Sequence, residues 1–286
     1  MRRPSTIEQE AVQMSTLEDL TGVFESIAST QVAKVKGKVE LSKEFFKLLW
    51  SRYSSIRIDP ASRITNREAG DGRSDSVFVI ISAEAGLSGN IDQRLIETML
   101  VDYDAKTTDI IVLGTHGANQ LKQRGIDFIH YFQVPPTDKY IDVSPVIAAI
   151  IPYSRVVVYY EEYVSLGDQG IKKIDLISTM KEMSGDDGEP VVAIEDTIFE
   201  PSLDEIADQM EVTMMTLTLS QTILESSLAQ AASRFNAMII AKKRAGELLS
   251  DYRLEYHRAK RSESDRSLRE VMTTLKKKER LKGART

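Results

Sequence analysis

From Leu203 to about Leu275 the chain holds no proline and a single glycine, Gly246, and its apolar residues recur in alternating steps of three and four. The stripe runs Leu203, Ala207, Met210, Met214, Leu217, Gln221, Leu224, Leu228, Ala231, Phe235, Met238, Lys242, Ala245, Leu249, Tyr252, Tyr256 and Ala259, with Gln221 and Lys242 its two polar members. A mean step of 3.5 keeps one seam turned toward a partner helix, as in a left-handed coiled coil. At 1.5 Å per residue the predicted helix is about 110 Å long, beyond the thickness of a domain core, so the pattern predicts a rod. Ser202, with Glu205 three residues on and Pro201 before it, forms a capping-box start. Past Ala259 the stripe changes phase to Leu268, Val271 and Leu275, so the last part of the helix is expected to continue alone.

Residues 7–54 also read as helix. Leu17, Leu20, Phe24 and Ile27 step by three and four; the stripe then slips to Ala28 and continues through Val32, Val35, Val39, Ser42, Phe46 and Leu49. Such a slip is a local change of winding. Gly22 and Gly37 each weaken the helix by about 1 kcal/mol relative to alanine, and Pro60 marks the exit. At roughly 70 Å this helix is too short to cover the other, so part of the longer one must pack against something else.

Between them the pattern changes. Residues 76–82 (Ser-Val-Phe-Val-Ile-Ile-Ser), 109–113 and 155–160 are continuous apolar runs, the mark of strands buried on both faces. Residues 127–132 and 171–177 are weaker strand candidates, and helices fit at 91–103, 118–124 and 143–151. Alternating strands and helices predict a Rossmann-like α/β domain with a mostly parallel sheet. Gly185, Asp186, Asp187, Gly188 and Pro190 predict a loop. The expected organisation is an N-terminal coiled-coil helix (1–57), an inserted globular α/β domain (73–200) and a long C-terminal helix (202–280), the two helices pairing antiparallel.

Composition narrows the function classes. No apolar run reaches 18 residues, so no membrane span is expected, and the first residues lack the apolar stretch of a secretory signal. The chain has no cysteine, which excludes disulfides and thiolate metal sites. The net charge of −6 is uneven: residues 257–286 hold five lysines and six arginines against four acidic residues, a segment of +7 on a remainder of −13. A basic tip on an acidic body suits an acidic partner surface or a nucleic acid, or is simply a solvated helix end.

Candidate chemistry is sparse. Gly86-Leu87-Ser88-Gly89 sits where a nucleotide-binding turn would lie, yet matches neither G-x-G-x-x-G nor the phosphate loop. It reads as a strand-to-helix turn, and Ser88 lacks the full nucleophile elbow. Gly114-Thr115-His116-Gly117 reads as turn chemistry in the same way. His116, His130 and His257 have no metal-ligand spacing. Neither Glu161-Glu162 nor Asp186-Asp187 has an evident partner to set two pKa values apart. Trp50 reads as a packing anchor. No catalytic residue, cofactor or metal is expected.

The order of elements and the local sequence together resemble the gamma subunit of F-type ATP synthases. That family carries Ser-Asp-x-Gly-Leu-Cys-Gly after a strand, where this chain has Ser82-Ala83-Glu84-Ala85-Gly86-Leu87-Ser88-Gly89. Its first-helix Ile-Thr-x-Ala-Met-x-x-Val-Ala is similar to Leu20-Thr21-Gly22-Val23-Phe24-Glu25-Ser26-Ile27-Ala28. In the last helix, Leu224-Glu225-Ser226, Ser233-Arg234-Phe235-Asn236-Ala237-Met238, Ala245-Gly246-Glu247-Leu248 and the stretch from Leu254 to Arg261 resemble the family's series in the same order. The departures are Gly22 and Phe24, where the family has Lys and Met, a polar 262–268 stretch, and a continuation into Lys276-Lys277-Lys278. The cysteine-bearing insert of the chloroplast form is absent.

The resemblance implies a non-catalytic shaft that couples ion-driven rotation to three catalytic sites. The implied partners are alpha and beta subunits around the tip, an epsilon subunit and the membrane c-ring at the foot; nucleic acid is not among them. It implies a peripheral protein on the cytoplasmic face of a bacterial plasma membrane. The expected partner-contact residues are Phe24, Lys34, Arg258, Lys260, Arg261 and Arg266. A gamma-like paralogue in a related rotary ATPase, and a coiled-coil scaffold or adaptor with an α/β domain, are the alternatives.

Overall fold

In the computed structural model residues 2–55, 76–134, 142–176 and 203–283 are described. The expected exit at Pro60, the 185–190 loop with Asp186 and Asp187, and the cap at Ser202 lie outside them, as do the side chains of Ser42, Phe46, Leu49, Trp50, Leu203 and Ala207. Among the described residues the elements are α1 (Pro4–Ser55), β1 (Ser76–Ile81), α2 (Ile91–Asp102), β2 (Thr108–Leu113), α3 (Thr115–Gln123), β3 (His130–Phe132), α4 (Ser144–Ile150), β4 (Arg155–Tyr163), β5 (Gln169–Asp175) and α5 (Leu203–Gly283). The chain divides into two compact units, residues 1–26 with 238–286 and residues 27–237, so α1 and α5 each contribute to both.

In the first unit α1 and α5 run antiparallel. Arg2 faces Glu255, Glu18 lies beside Gly246, and Glu25 meets Lys242. The α5 seam is the one its periodicity predicts, with Met238, Ala245, Leu249 and Ala259 buried and Tyr252 and Tyr256 half-buried. From residue 260 to 277 the helix is exposed apart from Ser262, which matches the expected unpaired stretch.

The α1 seam differs from expectation. The side chains turned inward along α1 are Ile7, Ala11, Met14, Glu18, Thr21 and Glu25. The same unbroken alternation of fours and threes continues through Ala28, Val32, Val35 and Val39. Leu17, Leu20, Phe24 and Ile27 are exposed, so there is no slip at Ala28. The physical reason lies across the seam. Lys242 Nζ is 2.9 Å from Glu25 Oε2, and its stem passes Gly22 at 3.7 Å from where a Cβ would stand. Gly246 leaves room for Glu18, whose carboxylate is 3.3 Å from the position a Cβ would take. The polar stripe is tolerated because Glu18 meets a glycine, Glu25 meets an opposite charge, and the Thr21 hydroxyl donates to the Leu17 and Glu18 carbonyls.

In the second unit five strands form one sheet in the order β3-β2-β1-β4-β5. β1 pairs in parallel with β2 and β4, β2 with β3, and the last hairpin makes β5 antiparallel to β4. Side chains alternate across the sheet with period two. Val77, Val79, Ile81, Val156, Val158 and Tyr160 pack on α4 and on Met214, Met215, Leu219 and Ile223 of α5. Phe78, Ile80, Val157 and Tyr159 pack on α2 and α3. Helices on both faces explain the continuous apolar runs. The longer helix thus packs on more than α1: α5 covers one face of the sheet, while Leu228 packs on Val35 and Val39 of α1.

Candidate functional site

In an open α/β sheet a ligand crevice forms where the strand order reverses, outside the carboxyl ends of the strands. In this sheet that point is between β1, whose chain continues to β2 and β3 on one side, and β4 on the other. The register places Ser82, just past β1, level with Glu161 on β4.

The floor is built by close backbone approach. Ser82 Oγ donates to the Leu113 carbonyl at 2.9 Å and accepts from the Gly117 N–H at 2.9 Å. A Cβ on Gly114, at φ 99°, would lie 2.2 Å from the Ser82 carbonyl oxygen, so only glycine fits. Glu84 caps α3 by accepting from the Thr115 N–H and hydroxyl, both at 2.9 Å. Residues 115–117, expected as a turn, are instead the first turn of α3, which the chain enters through Gly114.

The Gly86–Gly89 turn is likewise a turn, with Leu87 at φ 69° and Gly89 at φ 71°. Ser88 is buried and donates to Asp92 Oδ2 at 2.9 Å; Asp92 Oδ1 accepts from the Ala83 N–H at 2.8 Å. The turn aims its carbonyls at α5. Arg234 donates through Nε to the Gly86 oxygen (3.1 Å) and through Nη2 to the Ala85 oxygen (2.9 Å), and Ser233 Oγ donates to the Ser88 oxygen at 2.7 Å. A phosphate site needs N–H groups facing the ligand. This turn presents acceptors, and the crevice is filled by a helix of the same chain.

Deeper in the crevice Glu161 is fully buried, with Ser226 Oγ donating to its Oε2 at 3.2 Å. Burial, and then the negative charge of Asp92, push the Glu161 carboxyl well above the usual range. The sequence pairs Glu161 with Glu162 and finds no partner for either. In the fold Glu162 turns outward to Lys172 at 2.8 Å, while Glu161 turns inward to Ser226 with the charge of Asp92 beside it. Asp92, Ser226, Gln230, Ser233 and Arg234 were not legible as a site, because contacts such as Ser226–Glu161 join distant parts of the chain. An acidic residue ending an apolar strand run was the available signal.

The expected partner-contact residues are not gathered into one site. Phe24 is exposed on α1, at 39 %. Lys34 is an exposed α1 residue of the second unit. Arg258, Lys260, Arg261 and Arg266 are exposed on α5 in the first unit; Lys260 Nζ sits 5.5 Å from the Tyr256 ring centroid and Arg266 pairs with Glu270 at 3.1 Å. His116 borders the crevice 3.5 Å from Asp92, His130 is exposed on β3, and His257 is exposed on α5. Among the described residues no cluster of histidine and acidic side chains forms a metal site, and no helix is long and apolar enough to cross a membrane.

Two helices from opposite ends of the chain, paired antiparallel, and an inserted α/β domain whose crevice one of them occupies define a stalk-type architecture. A family model described as ATP synthase matches residues 5–276, and the chain belongs to that family, as one of its gamma subunits. It is 29 % identical over 210 residues to the ATP synthase gamma chain of Staphylococcus aureus (strain JH9), covering 69 % of this chain and 72 % of that one. Its fold is similar to a chain of the Euglena gracilis mitochondrial ATP synthase OSCP/F1/c-ring structure (TM-score 0.64, 14 % identity, 95 % of this chain and 94 % of that one). It is also similar to a chain of the Tetrahymena thermophila mitochondrial ATP synthase central stalk/c-ring structure (TM-score 0.54, 16 % identity, 78 % and 99 %).

Proposed function

We propose that this chain is the non-catalytic central shaft of an F-type ATP synthase, carrying rotation between a membrane ion-driven ring and three catalytic sites. The family match over residues 5–276 carries the reading. The geometry supports it: α5 supplies the seam with α1 in one unit and is held by Ser226, Ser233 and Arg234 in the other. A helix that transmits torque needs to be fixed against rotation in its own foot.

In this reading residues 1–57 and 202–280 form the shaft and 73–200 the foot. The exposed end of α5 lies within a head of alpha and beta subunits, and the foot contacts an epsilon subunit and a c-ring. The shaft acts by touching each catalytic site differently, since differential contact free energy is what shifts a conformational equilibrium. Phe24, Lys34, Arg258, Lys260, Arg261 and Arg266 are the contact residues, the basic ones meeting acidic loops of the head. The complex sits at the cytoplasmic face of a bacterial plasma membrane.

Purification of the native complex tests this. Recovery of the chain with alpha and beta subunits at three copies each per copy of the chain supports it. Recovery with different ATPase subunits points to a gamma-like paralogue, a reading favoured by the basic run Lys276-Lys277-Lys278. Recovery without any ATPase subunit overturns both.

A further inference from the structure

The crevice between the sheet and α5 holds two carboxyl groups, from α2 and from β4, with 2 % and 0 % of their residues' surface exposed. Their surroundings are unequal. Both Asp92 oxygens have donors, the Ala83 N–H and the Ser88 hydroxyl. Glu161 accepts from Ser226 at Oε2, and Gln230 also favours its charged form, but its buried Oε1 has no hydrogen-bond partner and the negative charge of Asp92 stands beside it. A buried carboxylate oxygen facing another carboxylate is costly, whereas a carboxylic acid there donates the missing hydrogen bond.

The other groups facing the pair do not supply a second full charge. From α5, Gln230 Nε2 donates to Ser226 Oγ at 3.1 Å, and Arg234 lies near enough to feel both acids while two of its N–H groups serve the Gly86 and Ala85 carbonyls. From α3, His116 Nδ1 stands 3.5 Å from Asp92 Oδ2, on the exposed rim. From the turn after β1, Glu84 is occupied by Thr115. Among the described residues, one permanent cation, Arg234, therefore faces two acids.

We propose that Asp92 and Glu161 hold one proton between them, carried on Glu161 and donated to Asp92, and that this proton is a structural part of the joint locking α5 into the α/β domain. Losing it leaves two anions in a closed crevice beside Ser226, and α5 loosens there. The pair thereby makes the attachment of the long helix sensitive to alkaline pH. This inference concerns the joint alone and stands or falls separately from the shaft reading.

The test uses the full chain. Carbon-13 carboxyl NMR should show one glutamate that stays protonated at neutral pH and whose signal vanishes in Glu161→Gln. Hydrogen exchange of the α5 amides around 226–234, corrected for intrinsic rate, should lose protection as pH rises, by up to about tenfold per pH unit, the slope for one proton released on opening. In Glu161→Gln, where the amide donates to Asp92 without titrating, that slope should disappear. Should that variant fail to fold, Asp92→Asn removes the facing charge and should lower the pH at which the Glu161 signal titrates, ending the slope at lower pH. A Glu161 signal that is ionised at neutral pH, a slope unchanged in Glu161→Gln, or a Glu161 titration unmoved in Asp92→Asn overturns the proposal.

Discussion

Arg234 Nη2 donates to the carbonyl oxygen of Ala85 at 2.9 Å, tying α5 to the turn that follows β1. With the Nε bond to Gly86 this makes a two-point clamp on backbone acceptors of the turn. Arg234→Ala should destabilise the second unit by about 3–6 kcal/mol, the range for two hydrogen bonds to a charged group. Urea unfolding followed by far-UV circular dichroism measures it; Arg234→Lys should recover only part, since a lysine lacks the planar fork.

Gly114 and Gly125 separate strain from contact. Both have positive φ, at 99° and 69°, but a Cβ on Gly114 would strike Ser82 while one on Gly125 meets nothing within 4 Å. Gly125→Ala should cost about 1–2 kcal/mol, the usual penalty for a left-handed residue. Gly114→Ala should cost more than about 4 kcal/mol or prevent folding, because backbone rather than a flexible side chain must move. Thermal melts of the two variants side by side decide this.

The helical glycines make the opposite comparison. Gly37→Ala, with open space around it, should stabilise the protein by about 0.5–1 kcal/mol. Gly246→Ala should gain less, since its Cβ would press on Glu18 Oε1 at 3.3 Å. Equal gains in chemical denaturation would mean that Glu18 moves aside freely.

Acid should weaken the second unit partly through Asp102. Lys173 at 2.7 Å and the Tyr159 hydroxyl at 2.8 Å hold its carboxyl below the ordinary value. A carboxyl depressed on folding contributes stability that is present above its unfolded value and is lost as pH falls through the folded one. Tyr159→Phe should cost about 1 kcal/mol at neutral pH. It should also make the loss of stability at low pH shallower, which unfolding curves at several acidic pH values will show.

The exposed basic end of α5 offers the functional test. Replacing Arg258, Lys260 and Arg261 together by glutamine should leave the melting temperature within a few degrees, because all three are exposed. In the assembled complex it should lower ATP-driven ion pumping more than ATP hydrolysis. Unchanged pumping per ATP would remove these residues from torque transmission.

Periodicity alone determined the five strands, the helices between them and the α5 seam, because a buried face must repeat with the period of its element. Tyr252, Tyr256 and Ala259 on α5, and the runs around Val79, Ile111 and Val157, are turned inward as their spacing demands. On α1 the same counting chose Leu17, Leu20 and Phe24 over Glu18, Thr21 and Glu25, and the fold chose the reverse. The deciding partners, Lys242 and Gly246, stand more than 200 residues away, and a one-position change of stripe is invisible without them. The crevice is the same case. Asp92, Glu161, Ser226 and Arg234 each look like an ordinary polar residue in the chain, and only the parallel sheet with α5 laid across it gathers them around one crevice. Local pattern reports which faces must be buried; what they are buried against, and which polar groups that burial forces together, is settled by tertiary contact.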